Sequence, residues 1–309
     1  MNLLVLWVIL LMSVLLGLLV SDWVLLILIM EVTLFMFIFM SYEYKFSAQS
    51  STCVKYFFVQ TLGSILLLVS GLMLVILEGV YNIMIYMMIC GMSLKLGVFP
   101  MHFWVVPVNM GLPYMLVGVL GSPMKMLPLS LFMSFYKTFG EGSGFSILLM
   151  VLGISSMIMG LFLGLSNCTI RGILGASSIS HTGWFMFSMI SFDMLKYFLL
   201  YSVGLLLVIW SLVYSSSLVS ISMLMLSGLP PFSVFTGKLI VIINLLSFGQ
   251  PMGFIVVALA TSVFSLFYYL KFAFNFFLLE MRVGAQFSVV SSMIILLNFF
   301  CVFLFLLFF

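Results

Sequence analysis

Stretches of about twenty apolar residues, parted by short polar breaks, recur along the whole chain. A helix needs about 20 such residues to cross the hydrocarbon of a bilayer. The pattern predicts eleven spans, over 3–20, 23–42, 54–77, 82–99, 113–137, 145–165, 168–190, 194–214, 219–246, 252–278 and 287–308. The longest expected loop runs from Pro100 to Leu112. No stretch reads as a soluble domain or a linker, so 1–309 is expected to form a single membrane domain. The fold class is an all-α polytopic membrane protein.

Polar positions inside these spans break the pattern. Lys95 lies well inside the fourth span, with Gly97 and Pro100 just after it, then His102 and Trp104. Proline removes a helical hydrogen bond and clashes with the preceding turn, so the helix is expected to break there. The ninth span repeats the theme: Gly228, Pro230, Pro231 and Gly237 interrupt it, and Lys238 follows. Freed backbone groups at membrane depth are tolerated only where protein or a water-filled cavity satisfies them. Charge beside a break therefore points to a functional site. The alternative is a kinked helix whose lysine snorkels to the interface.

The two interrupted spans are five apart. If spans one to five (1–137) and six to ten (145–278) are repeats, the breaks fall at corresponding positions, with 287–308 an extra helix. An odd number of spans inverts the second copy. Paired interrupted helices in inverted halves point to a transport site near the midplane.

Further ionisable groups lie near span centres: Glu31 in the second and Lys125 in the fifth. A lone carboxylate in hydrocarbon tends to take up a proton and a lone ammonium to lose one; a pair holds both charged. Lys95 is the expected partner of Glu31. A merely structural pair is the other reading, although apolar residues would usually be as stable. In the seventh span Ser177 and His181 are one turn apart, as are Ser178 and Thr182, so hydroxyls and imidazole share faces that can line water. A packed, satisfied histidine is equally consistent with that pattern. Lys271, close to a helix end, reads as an interfacial anchor.

Composition narrows the class. The chain is 65% hydrophobic and 6% charged, with a net charge of +3. So few charges cannot cover a soluble domain of 309 residues. The small, scattered positive charge excludes a nucleic-acid patch. Cys53, Cys90, Cys168 and Cys301 are far apart, without a CxxC pair, so no metal centre or disulfide framework is expected. No cleavable leader is expected ahead of the first span. Lys45, Lys55, Arg171 and Arg282 fall at ends after even-numbered spans. Asp22, Glu78, Glu141 and Asp193, with Lys137 and Lys196, fall after odd ones. The basic excess puts the N-terminus on the positive-inside face.

Glu31, Lys95, Lys125, His181 and Lys238 then read as a chain of ionisable groups across the midplane. Unit charges ~6–10 Å apart at an effective dielectric near 20 couple by roughly 2–3 kcal/mol. That is enough to drive a proton along a hydrated path, and lysines disfavour a dedicated metal-cation site. The bottom-up reading is a proton translocator.

Lys95-Leu-Gly-x-x-Pro-x-His-Phe-Trp104, Ser177-Ser-Ile-Ser-His-Thr-Gly-Trp184 and Leu226-Ser-Gly-Leu-Pro-Pro231 with Lys238 resemble the antiporter-like membrane subunits of respiratory complex I. The stretches around Glu31 and Val54-Lys-Tyr-Phe-Phe-Val-Gln60 add to the likeness. Eleven spans fit the animal form, which is similar to the bacterial one without its first three helices. The resemblance implies proton pumping across the mitochondrial inner membrane, driven by quinone reduction elsewhere in the complex, with the N-terminus on the matrix side. It implies a coupling pair at Glu31 and Lys95, a central lysine at Lys125, a histidine at His181 and a second lysine at Lys238. No redox cofactor is bound by such a chain; NADH, FMN, iron–sulfur clusters and ubiquinone belong to other subunits. Implied partners are flanking antiporter-like subunits and lipids such as cardiolipin.

The chain departs from the family in three places. Trp104-Val-Val-Pro-Val108 lacks the family's glutamate, Arg171-Gly172 stands where Arg-Lys is expected, and the loop at Ser215–Ser220 is short. Three rival readings stay open. They are a stand-alone sodium/proton antiporter, a structural scaffold without its own channel, and a haem cytochrome using His102 and His181.

Overall fold

The computed structural model describes residues 3–44, 49–76, 81–139, 143–214, 218–230 and 232–283. The expected eleventh span, 287–308, lies outside them, as do Pro231, Lys45, Glu78 and Glu141. The described residues are helical throughout their length, with short connections and no strand. The helices are α1 (Leu3–Leu19), α2 (Trp23–Glu43), α3 (Gln49–Ile76), α4 (Tyr81–Leu96), α5 (Val105–Gly111), α6 (Tyr114–Gly121), α7 (Pro123–Phe139), α8 (Ser143–Ser166), α9 (Ile170–Ile190), α10 (Met194–Tyr214), α11 (Val219–Ser227), α12 (Ser233–Ser247) and α13 (Met252–Val283). Six helical stretches among the described residues are long and apolar enough to cross a membrane, the run of α6 and α7 taken as one; α1, α4 and α12 are shorter apolar helices.

The predicted spans over 3–20, 23–42, 145–165, 168–190 and 194–214 each correspond to one helix. Three expectations change. The expected loop from Pro100 to Leu112 holds the helix α5, whose Val105, Val106, Val108, Asn109 and Gly111 are buried. Its proline, Pro107, stands in the first turn, where the missing N–H has no helical partner to lose. The predicted helix over 113–137 is two helices joined at Ser122, whose side chain donates to the Gly118 carbonyl at 2.8 Å while Pro123 opens α7. The span over 219–246 is likewise parted after Ser227.

Burial follows the logic of a bundle solvated by hydrocarbon. Leu4, Phe58, Phe162, Phe264 and Phe267 stand exposed on the outside. The centre is α9, which carries five hydroxyl side chains and His181 and yet has 18 of its 21 residues buried. It packs against α5, α6, α7, α8, α10 and α12. Helices in lipid gain little from apolar contact alone, so close approach through small residues holds them. A Cβ on Gly183 of α9 would stand 2.5 Å from the Gly153 carbonyl of α8, and one on Gly160 of α8 would stand 2.7 Å from the Ser180 nitrogen.

Candidate functional site

Lys95 ends α4 at the point where the chain turns away. Gly97 has φ +72°, and a Cβ there would strike Val105 at 2.3 Å, so only glycine suits the turn. The carbonyls freed at the end of α4 are taken up by side chains. The Trp104 indole donates to the Leu94 carbonyl at 3.0 Å, and the Gln60 amide donates to the Lys95 carbonyl at 3.3 Å. The Lys95 stem runs beside Gly63, where a Cβ would stand 3.0 Å from its Cγ. Its Nζ meets Glu31 Oε1 on α2 at 3.2 Å, the lysine side chain 2% exposed and the glutamate 22%. The pairing expected from two stranded charges is present.

Lys125 lies in the first turn of α7, just past the Ser122 junction. It is 3% exposed, and its Nζ donates to the Ser178 carbonyl of α9 at 3.2 Å. Lys238, in α12, reaches back across its own break. Its Nζ donates to the Ser227 carbonyl at the end of α11 at 3.0 Å and sits 5.6 Å above the Trp184 ring. Gly228 closes α11 in the left-handed region, φ +80°, and a Cβ there would lie 2.8 Å from the Lys238 Nζ. All three lysines therefore stand where a helix is interrupted, and Lys238 caps the carbonyl end of one.

His181 is buried between them on α9. Its Nδ1 lies 2.8 Å from the Tyr197 hydroxyl, and the Tyr201 ring packs against it, tilted by 43°, at 4.6 Å. The imidazole lies within electrostatic reach of both Lys238 and Lys125, and Leu226 of α11 lines the same small cavity. The hydroxyls expected to line water are bound to their own helix. Ser177, Ser178 and Thr182 each donate to the carbonyl three residues back, at 2.9, 2.8 and 2.6 Å, leaving only oxygen lone pairs to offer.

The other residues singled out by the sequence pattern take other places. His102 is half-buried, stacked on Phe99 at 5.5 Å, with Nδ1 3.2 Å from the Pro100 carbonyl; it is not part of the lysine set. Pro230 lies in the connection between α11 and α12. Lys271 is exposed on the flank of α13, as an anchor requires. Arg171 holds the Met110 carbonyl at 3.3 Å and lies over the Tyr114 ring. Asp193, expected in a loop, is buried at the start of α10, where it holds the Asn244 amide and the Lys196 ammonium, the latter at 3.0 Å.

Sequence reasoning missed Gln60, Trp104 as a cap, Tyr197, Tyr201 and Asn244. Tyr197 and Tyr201 left a visible signal, a polar pair one helical turn apart inside an apolar span. The described residues contain no cluster of three His, Cys, Asp or Glu side chains able to hold a metal ion.

Known proteins resemble this chain in sequence and in fold. The family model for the membrane region of NADH:quinone oxidoreductase/Mrp antiporters matches residues 20–217. NADH-ubiquinone oxidoreductase chain 2 of Albinaria caerulea is 32% identical over 84% of this chain and 83% of its own length. Among solved structures, a chain of respiratory complex I from Thermus thermophilus superposes with TM-score 0.67 at 20% identity, over 79% of this chain and 63% of that one. A chain of the Mrp complex from Dietzia superposes with TM-score 0.69 at 18% identity, over 79% of this chain and 55% of that one. This chain thus spans somewhat under two thirds of those structures' length, and they share its fold. The chain belongs to the family of NADH:quinone oxidoreductase and Mrp antiporter membrane subunits.

Proposed function

We propose that the chain is a proton-translocating core subunit in the membrane arm of a respiratory NADH:quinone oxidoreductase, the counterpart of chain 2 of its animal relatives. The observation that carries this reading is the placement of Lys95, Lys125 and Lys238. Each is buried and each stands at a helix interruption, and His181 lies within electrostatic reach of the latter two. A buried ion pair is a weak source of stability, and unpaired buried lysines are a worse one. Their presence in a member of a transporter family supports use in transport.

The geometry suggests how the groups act together. Opening the Glu31–Lys95 contact leaves two uncompensated charges in a low-dielectric interior. α4 packs on α7, so the change reaches Lys125, whose proton has the Ser178 carbonyl and, among the described residues, no carboxylate to hold it. Coupling of roughly 2–3 kcal/mol per charge at ~6–10 Å biases the next proton transfer, toward His181 and then Lys238. His181 is suited to pass a proton because an imidazole can accept at one ring nitrogen and donate at the other, and its Nδ1 already meets the Tyr197 hydroxyl of α10.

The finer architecture belongs to the same proposal. Eleven spans form two inverted five-helix repeats, 1–137 and 145–278, with the α4–α5 and α11–α12 breaks in corresponding places and 287–308 as an added helix. The location is the mitochondrial inner membrane, with the N-terminus on the matrix side. Partners are flanking antiporter-like subunits and cardiolipin. The chain itself binds no redox cofactor and does no redox chemistry. NADH, FMN, iron–sulfur clusters and ubiquinone serve in other subunits.

The test is isolation from membranes through a tag on this chain, followed by NADH-driven proton uptake in vesicles. The proposal expects NADH:quinone reductase activity to co-purify and proton uptake to continue without sodium. A chain that isolates alone, with proton flux that needs a sodium gradient, favours the stand-alone antiporter instead.

A further inference from the structure

Tyr268 and Tyr269 on α13 have no part in the lysine–histidine set, yet their side chains are turned into the bundle beside it. They are 1% and 2% exposed, with rings packed at 4.5 Å. Buried hydroxyls are almost always hydrogen-bonded. Here both hydroxyl oxygens, and that of Tyr201, have no partner at hydrogen-bond geometry among the described residues. Tyr268 comes within reach of Ser180 and Ser265, Tyr269 of Ser177, and the two hydroxyls of each other, without any of these contacts closing.

Those serines cannot act as donors. Ser180 already donates to the Ser177 carbonyl at 2.7 Å and Ser265 to the Ser262 carbonyl at 2.7 Å. They present lone pairs only, whereas the tyrosines have both a proton and lone pairs to place. A narrow cavity runs from Tyr269 to the Lys238–His181 pair, with Ser180, Thr261 and Ser265 in its polar lining and Met157 and Trp184 in its apolar lining; Tyr268 packs on Tyr269, outside the lining. A polar cavity offering two to four partners is a water site. Beyond it α13 leads to the exposed Lys271.

We propose that Tyr268 and Tyr269 complete a hydrated proton branch between α9 and α13 that begins at the Lys238–His181 pair. This rests on the proton-translocation reading above. In one transfer the Lys238 ammonium gives a proton to cavity water and becomes the neutral amine. That water passes a proton to the Tyr269 oxygen as the tyrosine releases its own to a second water, which carries it away as hydronium. The Lys238 N–H bond and one O–H bond each of the first water and of Tyr269 break, one O–H bond forms on each of the two waters and on Tyr269, and the tyrosine ends neutral.

The experiment uses the intact complex in inner-membrane vesicles, with proton uptake per NADH oxidised as the readout. The double variant Tyr268→Phe/Tyr269→Phe keeps both rings and deletes both hydroxyls. Pumping at least threefold lower is expected, and Tyr269→Ser, which returns a hydroxyl and leaves room for water, should recover at least half of it. A ring needed only for packing gives the opposite order, with Phe harmless and Ser harmful, and overturns the proposal. Normal pumping by the double-Phe variant beside failure of Lys238→Met overturns the branch and leaves the relay standing. Normal pumping by Lys238→Met as well overturns the relay reading itself. If the double variant does not assemble, Tyr269→Phe alone decides by the same criterion.

Discussion

At the scale of single residues, a charge shut away from water must find its compensation close by. Lys95 and Glu31 hold each other at 3.2 Å. Removing one partner of such a pair costs about 3–5 kcal/mol, at the lower end here because Glu31 keeps 22% side-chain exposure. Lys95→Met should therefore destabilise the subunit more than the double variant Glu31→Gln/Lys95→Met, which strands no charge. Midpoints of thermal inactivation for the two single variants and the double give the coupling directly. Additive effects would show that the contact does not matter in the assembled protein. This pair was legible in the sequence because two charges in hydrocarbon have few alternatives to finding each other. The partners of Lys125 and Lys238 were not, because both are backbone carbonyls, of Ser178 and Ser227, that a sequence offers at every position. Ser177, Ser178 and Thr182 read as water-lining hydroxyls in the sequence, yet inside a helix the nearest acceptor is the carbonyl three residues back, and each hydroxyl proton goes there.

At the scale of elements, the interruptions do the positioning. Gly228 gives α11 its left-handed end and leaves room for the Lys238 ammonium, which in turn caps the Ser227 carbonyl. Gly228→Ala puts an L side chain in the left-handed region, a strain of about 1–2 kcal/mol, and its Cβ would stand 2.8 Å from Nζ. The variant should assemble with a modestly lower inactivation temperature and a disproportionate fall in proton pumping. A loss of stability with pumping per NADH intact would separate the break from the relay. Long apolar stretches made most helices readable in advance. The short ones were hidden for identifiable reasons. α5 is only 7 residues long and carries Pro107, so its apolar run reads as a loop. The Ser122 junction sits inside a continuous apolar stretch, and only the small Gly121-Ser122 pair before Pro123 marks it.

At the scale of the whole molecule, the bundle is inverted relative to a soluble one, with α9, which carries five hydroxyls and His181, at the centre and Phe58, Phe162, Phe264 and Phe267 outside. That arrangement depends on α8 and α9 lying almost in backbone contact. Gly183→Ala would place a Cβ 2.5 Å from the Gly153 carbonyl, and backbone cannot move aside as a side chain can. Loss of assembled subunit from membranes is expected, read by the amount recovered with the complex. Full recovery would mean that α8 can separate from α9 without harm. The polar character of α9 was plain in the sequence; its central position was not among the expectations, and it keeps the hydroxyls and imidazole out of lipid. Which helices would surround it was a matter of packing that no local pattern carries.

If buried lysines relay protons, Lys125 is the residue that tests it most directly. It is fully buried and holds the Ser178 carbonyl, with no carboxylate against it among the described residues, so its replacement strands no opposite charge. Methionine comes close to its length. Proton pumping per NADH oxidised, in vesicles holding the intact complex, should be lost or fall at least tenfold in Lys125→Met while the subunit remains assembled. Unchanged pumping in an assembled complex would contradict the relay and leave these lysines a structural feature of a scaffold.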